Sequence, residues 1–339
     1  MARNGISRLV GTFAAIFGAS LIAFVFLRVF PGDPARLVVG PFATPAQIKA
    51  FNEEAGLNDP ILTQYWVYVS DFVRGDWGFS FGSGQNVSTL MSDRLPASLE
   101  LGFYAFTFAL ISALVLALLT TYRRRRTLDG SVRGVSFVAL GTPPFWLGLL
   151  LLLLFSQTWS VLPGPDGRLS PEVLVPDKVT GFYTVDAALA GEWSTAWDAL
   201  LHLVLPAFAL GFAAWAYMYR LLRANLLDVA REPFLIVVRS KGSSRWSAFR
   251  RHALPNAFLP TLTASGLILA QLIGGSVLVE KVFNWPGVGT LVVDSILRQD
   301  FAVVQTFILL SAVAYVSVNL AIDLLYGVID PRVRAPSSV

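Results

Sequence analysis

The stretch REPFLIVVRSKGSSRWSAFRRHALP, residues 231–255, is a charged interruption between two apolar runs. The flanking runs, residues 199–222 and 257–282, are long enough to cross a bilayer as helices, each of which needs about 20 mostly apolar residues. Of the 339 residues, 55% are hydrophobic and 14% are charged, whereas soluble domains carry about 25% charged residues. The chain is therefore predicted to be a membrane protein.

Residues 231–255, hereafter the basic loop, contain a pattern typical of a short amphipathic helix. Residues 234–238 are apolar, and Arg239, Lys241 and Gly242 follow them. Cations stabilise the C-terminal end of a helix and glycine favours its termination, so we expect a helix that ends near Gly242. Its apolar side must contact either a partner protein or the lipid interface, and these residues alone leave both possibilities open.

Six apolar runs are long enough to be membrane helices. They are residues 9–30, 99–121, 132–159, 199–222, 257–282 and 301–328. A cleaved signal peptide is the alternative for the first run, but its length favours a membrane helix. The basic residues concentrate in alternate connections, among them the four arginines at 123–126, which predicts that both chain ends are cytoplasmic. The same rule explains the net charge of +4 without nucleic-acid binding.

Two longer connections are polar. In residues 31–96, Thr44, Pro45 and Gln47 predict a capped helix start, and a second amphipathic segment covers residues 61–73. The other connection, residues 160–198, is hereafter the acidic connection. Its charged residues are Asp166, Arg168, Glu172, Asp177, Lys178, Asp186, Glu192 and Asp198.

A proline pair interrupts the third apolar run at residues 141–144, reading GTPP. Proline removes a backbone donor, so the helix must bend or unwind there and its freed carbonyls need other partners. Such a break either lines a transport pathway or is a packing kink, and the sequence does not distinguish them.

The basic loop resembles the EAA loop of permeases from bacterial ATP-binding-cassette importers. That pattern has a glycine, nine further residues and then I-x-L-P; here Gly242 is followed after nine residues by His252-Ala253-Leu254-Pro255. Ile236, Val237 and Val238 replace the acid and two alanines, and His252 replaces the isoleucine. The tract Arg239-Ser240-Lys241-Gly242 is similar to that of the dipeptide and oligopeptide branch.

The resemblance extends over nearly the whole chain and is to the "B" permease of this branch, whose relatives include nickel importers. It is carried by residues 27–34, 56–60, 74–78, 94–100, 285–289 and 330–334. It implies a type I importer fold with six membrane helices. Residues 1–30 would form the cytoplasmic N-terminus and first helix, residues 31–96 an extracytoplasmic cap, and residues 97–339 the core with a coupling loop at 223–256.

The resemblance also implies partners: a homologous second permease, two cytoplasmic ATPases and an outer substrate-binding protein. No G-x-x-x-x-G-K-[ST] loop is present, and Gly82-Ser83-Gly84-Gln85 lacks the lysine, so ATP and Mg²⁺ would bind the partners and this chain would hold no cofactor. Absence of cysteine excludes disulfides and thiolate sites, and no catalytic constellation is apparent, so we expect a transport subunit rather than an enzyme.

Peptides are the substrate that the resemblance favours, with nickel or another small solute as the alternative in the same family. A stand-alone secondary transporter or channel, and a membrane anchor, are alternatives from other classes. A transporter or channel would favour a charge relay, a filter or inverted repeats, none of which is evident in the sequence.

Two sets of site residues follow. The set expected to couple to the ATPase is Phe234, Leu235, Ile236, Val237, Val238, Arg239, Ser240, Lys241, Gly242, Leu254 and Pro255. The pathway candidates are Gln271, Gly274, Gly275, Gln305, Asn319 and Asp323, for which helix packing is the alternative role. The histidines, His202 and His252, are expected at the interface and in a structural role, without a metal site.

Overall fold

A computed structural model describes most of the chain. The described residues are 11, 17–18, 20–22, 24–25, 44–54, 56, 58–80, 82–123, 126–274 and 276–329. They form two compact units. The first comprises the described residues up to Leu95 with Gly287–Val316, and the second comprises the described residues of Pro96–Pro286 and those from Ser317 onward.

Helices account for nearly all of the regular structure. In chain order they are α1 (Pro45–Glu54), α2 (Ile61–Arg74), α3 (Val87–Arg123), α4 (Arg126–Gly141), α5 (Pro144–Leu151), α6 (Tyr183–Leu189), α7 (Trp193–Val229), α8 (Pro233–Ser240), α9 (Arg245–Ala248), α10 (Leu254–Gly274), α11 (Val277–Val282), α12 (Val288–Leu297) and α13 (Phe301–Ile329). A π-helical turn, Leu152–Thr158, extends α5, and another, Phe249–Ala253, joins α9 to α10. Two short antiparallel strands, β1 (Phe79–Ser80) and β2 (Gln85–Asn86), precede α3.

Several helices are long and apolar enough to cross a membrane. Within the described ranges there are four such segments: Val87–Tyr122, Trp193–Val229, Arg245–Leu272 and Phe301–Ala321. The pair α4 and α5 makes a fifth span if the two helices are counted together. The protein is thus a helical polytopic membrane protein. The first predicted apolar run, residues 9–30, lies largely outside the described residues.

The predicted break in the third apolar run is confirmed. Helix α4 ends at Gly141, Pro143 is extended, and α5 begins at Pro144. The two halves are bent by 110° relative to each other. The bend follows from the proline pair, because proline cannot donate a helical hydrogen bond and disfavours helical geometry in the residue before it.

The first unit contains the two helices predicted between residues 31 and 96. At the start of α1, the Thr44 amide donates to Gln47 Oε1 at 2.9 Å and the Gln47 amide donates to Thr44 Oγ1 at 3.3 Å, which is the expected capping box. Helix α2 ends at Arg74 and is followed by Gly75, whose φ of +84° lies in the left-handed region that glycine tolerates best.

The start of α3 differs from the prediction, which placed it at Leu99 rather than Val87. The added turns are amphipathic and bury Val87 and Met91 in a cluster with apolar side chains from α12 and α13. Helix α12 was itself not predicted. Its ten residues are too few to cross a membrane, and a short apolar segment is ambiguous between helix and strand by periodicity alone.

The fifth apolar run, predicted as one helix over residues 257–282, is divided in two. Helix α10 ends at Gly274 and α11 begins at Val277. Adjacent glycines at 274 and 275 lower helix stability, which explains the interruption. Helix α7 is also longer than the predicted residues 199–222, with additional turns at both ends.

In the second unit, α3 and α7 approach closely because small residues line their contact. Ala105, Ala109, Ala113 and Ala117 recur every four residues along α3 and are at most 1% exposed. A Cβ added to Gly211 of α7 would lie 2.6 Å from the Ala105 carbonyl oxygen. The helices therefore meet backbone to backbone, as is common between membrane helices.

We expect Gly211→Ala to lower the stability of the protein by about 1–3 kcal/mol, because the methyl group would overlap a backbone atom that cannot move locally. Gly130→Ala is the matched control, since a Cβ at this helical glycine meets nothing within 4 Å. Thermal unfolding of both variants in detergent measures the difference. Equal midpoints would show that the α3–α7 contact tolerates separation.

Candidate functional site

The basic loop contains the predicted amphipathic helix, α8. Proline occupies its first turn, where a missing amide donor costs nothing, and Gly242 follows its end with φ +90°. This left-handed conformation strains any residue with a Cβ, so Gly242 is required by the backbone geometry.

Helix α8 leaves apolar side chains uncovered. Leu235 is buried in the hydrophobic core of the second unit, whereas Phe234, Ile236 and Val237 are 38%, 68% and 54% exposed. We call these three side chains the α8 surface. Val238 is half-buried, and Arg239, Ser240, Lys241 and Gly242 are exposed. A contiguous apolar surface beside exposed cations marks an interaction site.

Aromatic side chains join the basic loop to the end of α3. The ring centroids of Tyr122 and Trp246 are 4.9 Å apart, and those of Tyr122 and Phe249 are 5.6 Å apart. Beyond them, Leu254 is half-buried and Pro255 is exposed in the first turn of α10. Movement of the loop is therefore expected to act directly on α3 and α10.

Polar contacts connect the neighbouring helices to one another. The Arg223 guanidinium donates two hydrogen bonds to the carboxylate of Asp129, at 2.6 and 2.7 Å, and so joins α7 to α4. The Asn225 amide donates to the Ala257 carbonyl at 3.3 Å and joins α7 to α10. The paired hydrogen bonds between arginine and carboxylate fix orientation as well as distance.

A membrane cavity of about 420 Å³ lies between α7, α10 and the α4–α5 break. The break contributes Leu140 and Pro144, and the polar side chains of the lining are Tyr217 and Gln271. Among the pathway candidates that the structure describes, Gln271 lines this cavity.

The other pathway candidates are dispersed. Gln305 belongs to the first unit, where it lies beside Tyr68; burial raises the pKa of this hydroxyl above its ordinary value, and the nearby amide offsets part of the effect. Asn319 is half-buried on α13. A Cβ at Gly274 would meet nothing within 4 Å, so this glycine makes no close approach to described residues. Gly275 and the Asp323 side chain lie outside the described residues.

A buried polar network, which the sequence analysis missed, ties the acidic connection to α3. The Arg168 guanidinium donates to Glu100 Oε2 at 2.5 Å and to the Gly181 carbonyl at 2.7 Å. The amide and hydroxyl of Thr184 donate to Glu100 Oε1 at 3.0 and 2.6 Å. The Arg168 and Glu100 side chains are 5% and 1% exposed, so each charge depends on the other for stabilisation.

A second buried acid joins α3 to α11 through separate hydrogen bonds. Glu280 is fully buried and accepts hydrogen bonds from the hydroxyls of Ser98 and Ser276 at 2.7 and 2.6 Å. The Trp285 indole donates to the Ala97 carbonyl at 2.9 Å. The sequence did contain a signal for these contacts, because Glu100 and Glu280 lie at the ends of apolar runs, where a charged side chain needs a partner.

Inside the acidic connection, Asp186 organises its own turn. Burial tends to raise the pKa of this carboxyl group, but hydrogen bonds from Thr180, Gly181 and Val179 outweigh burial and hold the pKa below its usual value. His202, near the start of α7, is 4% exposed, with Nδ1 at 2.8 Å from the Asp198 carbonyl oxygen. The connection is thus an ordered structure rather than a loose linker.

We expect Arg168→Met to destabilise the protein by about 3–5 kcal/mol, because it leaves the Glu100 carboxylate buried without its cation. The double variant Glu100→Gln with Arg168→Met removes both charges and should recover part of the loss. Thermal unfolding and limited proteolysis of the acidic connection compare the two. A double variant no more stable than the single one would contradict a dominant role for the ion pair.

Comparison with known proteins identifies a matching family and several similar proteins. The family described as "Binding-protein-dependent transport system inner membrane component" matches residues 86–335, and the N-terminal family of such membrane components matches residues 1–102. The chain is 40% identical to the probable D,D-dipeptide transport system permease DdpB of Escherichia coli K12 over 323 residues, 95% of each chain.

Two further relatives have related names. The dipeptide transport system permease DppB of Alkalihalophilus pseudofirmus is 33% identical over 329 residues, covering 96% of this chain and 98% of that one. The glutathione transport system permease GsiC of Escherichia coli K12 is 34% identical over 329 residues, covering 97% of this chain and 98% of that one.

Proposed function

The chain belongs to the family of binding-protein-dependent transport system inner membrane components, and we propose that it is the permease subunit of an ATP-driven importer of short peptides. It is a multi-pass inner membrane protein and a transport subunit rather than an enzyme. The names of its relatives, which transport dipeptides and glutathione, support small peptides as the substrate class.

The observation that carries this proposal is the α8 surface. A short helix with an apolar face cannot remain in water without cost, and it sits in a loop whose glycine and Leu254-Pro255 have the spacing of an importer coupling loop. The occupant that fits is a cytoplasmic ATPase. Family membership implies ATPase and binding-protein partners, and we further propose a homologous second permease that forms a heterodimer with this chain.

The proposed topology has six membrane helices with both ends in the cytoplasm. Residues 1–30 would supply the first helix, residues 31–96 the extracytoplasmic cap, and residues 97–339 the core with its coupling loop at 223–256. The positive-inside rule supports this orientation, because the basic loop and the four arginines at 123–126 would then face the cytoplasm.

The contacts around α8 suggest how ATP-driven motion reaches the pathway. Closure of the ATPases would displace α8. The ring contacts of Trp246 and Phe249 with Tyr122 would transfer this movement to α3. The hydrogen bonds from Asn225 to Ala257 and from Arg223 to Asp129 would carry it to α10 and α4. Those two helices, with α7, wall the membrane cavity, so a rigid-body shift would alternate its access.

Within that cavity, Gln271 and Tyr217 are proposed to contact the peptide. An amide both donates and accepts hydrogen bonds, and so does a phenol, which matches the groups of a peptide bond without demanding a particular side chain. The second permease would supply the opposite wall. Selectivity among peptides would then depend largely on the binding protein.

We expect Val237→Asp and Gly242→Val to abolish peptide-stimulated ATP hydrolysis while the protein still inserts. The first places a charge on the α8 surface, and the second puts a β-branched residue at φ +90°. Arg250→Gln, an exposed position in the same loop, is the control. ATP hydrolysis and peptide uptake by the reconstituted importer measure the effect, and unchanged uptake would refute the coupling role.

We expect Gln271→Leu and Tyr217→Phe to raise the KM for peptide uptake several-fold, because each lost hydrogen bond is worth about 0.5–1.5 kcal/mol. Thr263→Val is the control, since Thr263 is exposed on α10 but does not line the cavity. Uptake of a labelled dipeptide at varied concentration gives the comparison. If the control raises KM as much as the two cavity variants, the membrane cavity is not the pathway.

A further inference from the structure

A second cavity, of about 360 Å³, is lined by residues of α8, α9 and the C-terminal ends of α3 and α7. It is distinct from the membrane cavity, and nothing in the proposed transport mechanism uses it. Leu235, Ile236 and Arg239 on one side of α8 line it, whereas Phe234 and Val237 of the α8 surface do not. The side of the helix that faces this cavity therefore shares only Ile236 with the α8 surface offered to an ATPase.

The cavity combines unpartnered polar groups with an apolar wall. Arg239 and Arg245 both line it, and within the described parts of the chain neither guanidinium has a carboxylate partner. Thr121 also lines it; this side chain is 6% exposed, and its hydroxyl has no hydrogen-bond partner among the described residues. Two cations and a buried hydroxyl are the donors that bind a phosphate group.

The residues around the cavity favour the depth of lipid headgroups. The helices that are long and apolar enough to cross a membrane have limits at Tyr122, Val229 and Arg245, and residues at or next to these limits line the cavity. The Tyr122 ring lies 5.5 Å from the Arg245 guanidinium, and Trp246 packs on the same ring. Tyrosine and tryptophan concentrate at this depth because their rings are amphipathic.

We propose that this cavity binds the phosphate group of a membrane phospholipid, which Arg239, Arg245 and Thr121 would hold. The glycerol and first methylene groups would contact the apolar wall that Leu235 and Phe249 contribute to. An acidic side chain of the ATPase would satisfy the cations but would leave this wall uncovered. A bound lipid would thus contact the side of α8 that lines the cavity. Coupling between the ATPase and this chain would then depend on the lipid.

Native mass spectrometry of the assembled importer, after mild delipidation in detergent, tests the proposal without requiring transport. We expect the wild type to retain one phospholipid for each copy of this chain. Arg245→Gln and Thr121→Val should each reduce retention about tenfold, because each removes a hydrogen bond to the charged phosphate group. Arg251→Gln, an exposed neighbour outside the cavity, should retain lipid as the wild type does.

Three outcomes would decide against the lipid. Retention that is the same in Arg245→Gln, Thr121→Val and the wild type would overturn the proposal. A tightly bound mass of inorganic phosphate or nucleotide, lost in the same variants, would assign the site to a soluble phosphate instead. Dissociation of the ATPase from Arg245→Gln with unchanged lipid retention would assign the cations to a protein carboxylate. Failure of peptide uptake alone would bear on the proposed function and not on this site.

Discussion

Hydrocarbon offers no hydrogen bonds to the backbone, and this constraint shapes both the fold and the motion of the protein. Every backbone amide and carbonyl within the membrane must be satisfied by the protein, so the spanning segments are helices. We propose that a signal from outside the membrane acts on a short helix in a connection between spanning segments. Helix α8 is such an element. It is short, Gly242 follows its end in a left-handed conformation, and its Leu235 side chain is buried.

The acidic connection differs from the basic loop in which side chains it buries. Where α8 leaves apolar groups uncovered, the acidic connection buries charges and satisfies them. Arg168 holds Glu100 across 68 positions of sequence, and its guanidinium lies 3.4 Å from the centroid of the Tyr183 ring. Such a network is costly to break because each charge would be left in a poorly solvating interior. The acidic connection is thus tied to α3 by buried hydrogen bonds, whereas the basic loop leaves apolar side chains exposed.

Local chemistry was what the sequence predicted best. The capping box at Thr44, the break at the proline pair and the glycine after α8 each depend on a few neighbouring residues with specific backbone preferences, and all three are present. The apolar runs likewise predicted five of the spanning segments when the bent pair is counted as one. Family resemblance supplied the coupling role, which the amphipathic pattern alone left divided between a partner and lipid.

Contacts between residues distant in the sequence could not be predicted. Nothing local indicates that Arg168 meets Glu100, or that Val87 and Met91 find partners on α12. The polar residues of membrane helices were equally ambiguous, because a glutamine that lines a cavity and one that packs between helices have the same local sequence signature. Gln271 and Gln305 differ only in their surroundings, which are set by the packing of distant helices.

The central claim is that the α8 surface binds an ATPase, and site-specific photo-crosslinking in the assembled importer tests it most directly. A photoreactive residue in place of Val237 is predicted to crosslink to the ATPase, and one in place of Leu174, which is 86% exposed in the acidic connection, is predicted not to. Crosslinking of the ATPase from position 174, or its absence from position 237 in an intact complex, would contradict the account.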